Sequence, residues 1–171
     1  MDFTQVVPDV EKEKFDLVIG LTNAVPEQWI QRTIIQSQWV FCASPGYLEE
    51  HGTPKSPKEL IHHKMITHST RTPPNVIKFS SGESICFEPI LYFNDTRAMR
   101  RAALHGVGIV QLHDYIVAED LKKKRLIKIL GKYTPQDQIP IHISYAHGSH
   151  VPMKVRKFVD FIIEIFAHKE T

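Results

Sequence analysis

The stretch "WIQRTIIQSQWVFCASP", residues 29–45, decides how the chain must be organised. It is rich in β-branched and aromatic side chains, and it is too long for a strand confined to one small lobe. The reading that fits is a strand crossing between two lobes. Pro45-Gly46 stops it, and "PGYLEEHG" follows as a short helix closed by Gly52. On the N-terminal side "FDLVIGL" (15–21) is a continuous apolar run ending at Thr22-Asn23, the pattern of a strand buried on both faces.

Further along, Ser56, Pro57 and Glu59 predict a helix start with a capping box. A strand around Met65 to Thr67 follows, then strand, Ser-Gly turn and strand in "NVIKFSSGESICFEP", and another strand in "ILYFN". "NDTRAMRRAALHGVGIVQL" (94–112) reads as a helix that stops on Gly106 in the left-handed conformation and runs into a strand. A helix from about Asp114 to Lys124 and the strands "LIKIL" and "IPIHISYA" come next. The last segment sets Val155, Phe158, Val159, Ile162 and Phe166 on one helical face. Alternating strands and helices place the chain in the α/β class with a substantially parallel sheet.

Composition narrows the function. Hydrophobic residues make up 42% of the 171 and charged residues 23%, which is globular. The net charge of +2 is too small to indicate nucleic-acid binding, and no apolar run reaches membrane-spanning length. Cys42 and Cys86 are far apart and form no CxxC pair, so neither a disulfide framework nor a zinc site is expected. The N-terminus lacks a signal-peptide pattern, and the expected location is cytoplasmic. His62-His63 and His147-x-x-His150 lack companion ligands, so no metal is expected. No cofactor is implied: "GVG" at 106–108 lies between a helix and a strand in the wrong order for a dinucleotide loop. "SSGES" is a hairpin signal rather than a nucleophile elbow.

In order and spacing, "FDLVIGL", "VFCASPGYLEEHGTPKSPKEL", "FNDTRAMRRAALHGVGIVQLHDYIVAEDLKKKRLIKIL" and "PIHISYAHGSHVPMKVRKFVDFIIEIF" resemble the effector-binding domain of LysR-type transcriptional regulators, from about Phe3 to Ala167. The resemblance implies a type II periplasmic-binding-protein-like fold: two Rossmann-like α/β lobes joined by two crossing strands, with a small-molecule cleft between them. On that template residues 1–40 begin lobe I, 41–138 form lobe II, and 139–171 return to lobe I. No winged helix-turn-helix pattern precedes "FDLVIG". The first strand and helix of lobe I, and most of its second strand, would be missing. Lobe I would then be incomplete, and the chain prone to instability or to association with itself or a full-length paralogue.

The resemblance also implies an effector site built from strand ends and a helix start. Its candidates are Thr22 and Asn23 after the first strand; Thr67 and Ser69, with His68, after the strand "MIT"; Asn94, Asp95 and Thr96 at a helix start; and Gln111 and His113 ending the strand after the glycines. Each is equally open to an ordinary capping or loop role. The expected ligand is a small metabolite, organic acids among the candidates, with no direct nucleic-acid or membrane contact by this chain. Rival readings are a solute-binding protein of the same fold, a decayed or dominant-negative regulator fragment, and a small enzyme using His113 with Asp114 or Glu119, for which no nucleophile is evident.

Overall fold

A computed structural model describes residues 15–21, 25–146 and 151–167. The chain divides into two compact units: Met1–Ser37 with Gln138–Thr171, and Gln38–Asp137.

The first unit holds a three-stranded sheet of β1 (Leu17–Gly20), β10 (Ile139–Ala146) and β2 (Trp29–Ser37), in the order β1-β10-β2. Both pairings are antiparallel, with Leu17 opposite Tyr145 and Ile30 also opposite Tyr145 from the other side. Helix α4 (Met153–Ala167) lies against this sheet through Val155 and Val159, which are buried with Ile143 and Tyr145, while Leu17, Ile30, Ile34 and Ile162 close the cluster. The i, i+4, i+7 spacing of Val155, Val159 and Ile162 is what aims one helical stripe at the strands. β1 is not buried on both faces: Ile19 and Leu21 are exposed, and among the described residues β1 pairs with β10 alone. On α4, Phe161 and Ile165 are exposed as well.

The long stretch at 29–45 is two strands, β2 and β3 (Trp39–Ala43), with one residue between them. Gln38 leaves the ladder because Asp114 captures its backbone. The Gln38 carbonyl accepts the Asp114 N–H at 2.9 Å, and the Gln38 N–H donates to Asp114 Oδ1 at 3.2 Å.

The second unit is built on a five-stranded sheet. Its strands are β3, β4 (Met65–His68), β7 (Pro89–Phe93), β8 (Ile109–His113) and β9 (Ile127–Ile129), in the order β7-β4-β8-β3-β9. β7, β4 and β8 run parallel, whereas β3 is antiparallel to both β8 and β9. The sheet is therefore mixed. β3 has no crossover helix before it, so only the later strands acquire the parallel sense that such a connection permits. Alternation along β3 sorts the core. Val40 and Cys42 face α2 (Thr96–Leu104) and α3 (Asp114–Lys122), joining Met99, Ala103, Val117 and Leu126. Phe41 and Ala43 face the other way, toward α1 (Pro45–His51) and the hairpin of β5 (Val76–Lys78) and β6 (Ser84–Cys86). Each large side chain buried on either face stabilises the unit by about 1.5–3 kcal/mol.

Local punctuation follows the sequence closely at one helix and less so at another. α2 ends in a Schellman arrangement: Gly106, at φ 75°, donates to Ala103 O at 3.0 Å, and Val107 donates to Ala102 O at 3.1 Å. At 57–62 the turn is a six-residue 3-10 helix, and Ser56 makes no side-chain cap to the backbone. Glu59 instead accepts the Ser56 hydroxyl and the Lys55 N–H, both at 2.9 Å. Gly108 meets the chain entering β4 so closely that a Cβ there would lie 2.3 Å from the Lys64 carbonyl oxygen. That same oxygen accepts the Ile109 N–H at 2.8 Å.

Candidate functional site

Because β7, β4 and β8 are parallel neighbours, their carboxyl ends fall on one edge of the sheet, the edge at which open α/β sheets collect ligands. The segments after β4 and β7 and the end of β8 bring Thr67, Ser69, Asn94, Asp95, Thr96, Gln111 and His113 to this edge. Thr22 and Asn23 lie outside the described residues.

Several of these polar groups are already engaged. Thr67 is buried and donates its hydroxyl to Pro74 O at 2.9 Å. The Ser69 N–H donates to Phe93 O at 2.8 Å, tying the ends of β4 and β7 together. Asp95 caps α2 by accepting the Arg97 N–H at 2.7 Å, and the Arg97 guanidinium closes on the same carboxylate at 2.7 Å. Those Arg97 hydrogen bonds hold the Asp95 carboxyl down at about 2. Asn94 is exposed, and Thr96 is the first residue of the helix.

The most unusual chemistry centres on Arg71, which was not singled out from the sequence. Arg71, largely buried, donates from Nη2 to Gln111 Oε1 at 2.6 Å and from Nη1 toward Val76 O at 3.5 Å. Its guanidinium carbon lies 5.9 Å from the centre of the Trp39 ring. Burial pulls the guanidinium pKa below its ordinary value, and no carboxylate among the described residues forms an ion pair with it. An arginine stays charged regardless, so this is a desolvated cation held only by neutral groups. Trp39 stands opposite His113 in the β3–β8 register, and their rings are 3.9 Å apart. The Tyr115 ring lies 5.8 Å beyond His113. At the end of β4, His68 Nδ1 accepts the Thr70 N–H at 3.3 Å, which places the proton on Nε2. That Nε2 is buried without a hydrogen-bond partner among the described residues.

The edge thus presents a guanidinium, an imidazole N–H and flat aromatic surface. The Thr70 hydroxyl lies 2.8 Å from His68 Nδ1, and no cluster of three metal-ligating side chains occurs among the described residues. Cys42 is an inert thiol, pushed up to about 12 by burial and then by the Asp120 charge. No described helix is long and apolar enough to cross a membrane.

Two histidines of this unit are held neutral. Burial lowers the His113 pKa, against an opposing pull from Asp114. Burial also lowers that of His63, with His51 and His62 adding to the effect and Glu59 opposing it. His63 Nδ1 faces the hydroxyl of buried Tyr47 at 3.1 Å; that hydroxyl accepts the Lys64 N–H at 2.9 Å, so its own proton goes to His63. Protonating the imidazole removes this acceptor. The unfolded chain binds protons more readily than the folded one, so stability is full above about pH 6.5 and falls as pH drops through that value. Melting temperatures taken from pH 7.5 to 5.5 should decline, less steeply in His63→Gln. A flat profile would contradict this account.

A mixed sheet flanked by helices, with buried polar groups gathered at its carboxyl edge, defines an α/β ligand-binding domain. The model of the LysR substrate-binding domain matches residues 1–167, and the chain belongs to that family, the effector-binding regulatory domains of LysR-type transcriptional regulators, with their type II periplasmic-binding-protein-like fold. Among curated relatives, the HTH-type transcriptional regulator CrgA of Neisseria meningitidis serogroup B is 30% identical over 135 residues, covering 78% of this chain and 45% of that protein. The HTH-type transcriptional activator TtdR of Escherichia coli is 25% identical over 158 residues, covering 90% and 50%. The chain therefore spans about half the length of the curated relatives it matches. The solved CrgA regulatory domain from Neisseria meningitidis superposes with a TM-score of 0.82 at 26% identity, over 91% of this chain and 78% of that one.

Proposed function

We propose that the chain is a non-catalytic sensor that binds a small carboxylate-bearing metabolite at the carboxyl edge of its five-stranded sheet, and that binding alters how a LysR-type regulator controls transcription in the cytoplasm. Arg71 supports this reading above all. A desolvated guanidinium facing only amide and carbonyl oxygens gains most from a ligand that supplies the missing negative charge, because a charge-assisted bond in a low-dielectric setting is stronger than one in water. The Trp39, His113 and Tyr115 rings offer a flat wall for an apolar or aromatic body attached to that carboxylate. His68 Nε2–H supplies a second donor. Ligand binding shifts a pre-existing balance of conformations by its differential affinity for them.

The test is calorimetric titration of the 171-residue chain with matched pairs of small aliphatic and aromatic acids and their amides. The acids are expected to bind saturably and the amides not. Equal binding of an acid and its amide would overturn the proposal.

A further inference from the structure

At the opposite edge of the same sheet, where α2 ends and β8 begins, lies an open depression of about 1050 Å³. Ser44, Glu50, Arg100, Arg101, His105 and Arg125 line it. Asp120 stands behind the arginines, its side chain 0% exposed. Arg100 Nε donates to Asp120 Oδ2, and neither of its terminal nitrogens has a hydrogen-bond partner among the described residues. Arg125 Nη2 lies 2.6 Å from Asp120 Oδ1, close enough to pair but outside hydrogen-bonding geometry. One buried carboxylate thus fixes the Arg100 guanidinium by a hydrogen bond and draws in that of Arg125 by charge, while neutralising only one of the two. The Arg101 guanidinium pairs with no carboxylate among the described residues and is exposed. The negative end of α2 is blunted here, since the carbonyls of Arg101, Ala102 and Ala103 already accept N–H groups from His105, Val107 and Gly106.

We infer that this depression binds a small ligand carrying two or more phosphate-type oxyanions, at a site separate from Arg71. Guanidiniums whose orientation is fixed in advance engage such groups in forked pairs at low entropic cost. The depression lies within one unit, and the chain's charge surplus is small, so a compact polyanion fits it better than a nucleic-acid backbone.

The test uses inorganic pyrophosphate as the probe, titrated into the 171-residue chain by calorimetry at constant ionic strength. Saturable binding at one site is expected. Arg101→Ala, which removes an exposed side chain outside the core, is expected to weaken it by about tenfold. Glu50→Gln, which removes the one carboxylate on the lining, is expected to tighten it. Arg71→Met is expected to leave it unchanged. Absence of saturable binding at millimolar pyrophosphate, an unaltered affinity in either Arg101→Ala or Glu50→Gln, or a loss in Arg71→Met would each overturn the assignment.

Discussion

Arg71→Met is expected to lower carboxylate affinity by on the order of 100-fold while leaving the unliganded protein about as stable as before. The two halves of this result have separate causes. A bound carboxylate would take two charge-assisted bonds from the guanidinium, and each contributes about 1.5–3 kcal/mol. Without ligand the same guanidinium costs the fold several kcal/mol of desolvation with no opposite charge to offset it. Methionine occupies a similar volume and removes that penalty. Against this, Gln111 Oε1 loses its donor, at about 1–3 kcal/mol. The opposing terms nearly cancel. Calorimetry and chemical denaturation on the same preparation measure both halves. A variant that binds the acid as wild type does, or that loses several kcal/mol of stability, would show that Arg71 is a structural residue.

Removing Arg100 and Arg125 together is expected to destabilise the second unit by about 3–5 kcal/mol, because Asp120 would be left ionised, buried and unpaired. The pair is asymmetric. The arginine side chains are 32% and 49% exposed, so losing Asp120 lets them turn to water, whereas Asp120 has nowhere to go. Asp120→Asn alone should therefore cost only about 1–2 kcal/mol, and adding it to the double variant should restore most of the loss. Burial raises the Asp120 pKa, but the hydrogen bond from Arg100 and the adjacent Arg125 charge outweigh it, so the folded value lies below 3.8. The arginine contribution is consequently complete above that value and disappears as pH falls through the folded pKa. Urea denaturation at neutral pH and in acid should show wild type and the double variant converging only in acid. Equal stability at neutral pH would refute the argument.

Structure was legible in the sequence where it is local. The start of α2 at Asp95 and its end at Gly106 depend on residues a few positions apart, and both stand as capping chemistry requires. The break at Gln38 was not legible, because the group that captures its backbone is Asp114, far along the chain. Nor was the exposure of β1: an apolar run has the same composition whether one of its faces is covered or both, and only the exposure of Ile19 and Leu21 distinguishes them. The site divides in the same way. The family resemblance pointed to Gln111 and His113, whereas Arg71 lay unnoticed in "THSTRTPPN". Its importance comes from being buried beside Trp39 and Gln111 without a counter-ion, which is a property of three segments meeting rather than of any one of them.

Two glycines, only two positions apart, resist substitution for unlike reasons. At Gly106 an added methyl group would meet just Ser44 Oγ at 3.5 Å, so alanine is resisted by torsion alone, and asparagine, which tolerates a positive φ, is the mildest exchange. At Gly108 the obstacle is the Lys64 carbonyl itself, and accommodating any side chain means surrendering the bond from Ile109 that begins the union of β4 with β8. Homologous sequences sharing this backbone should therefore vary at 106 within a narrow chemical alphabet and hardly at all at 108.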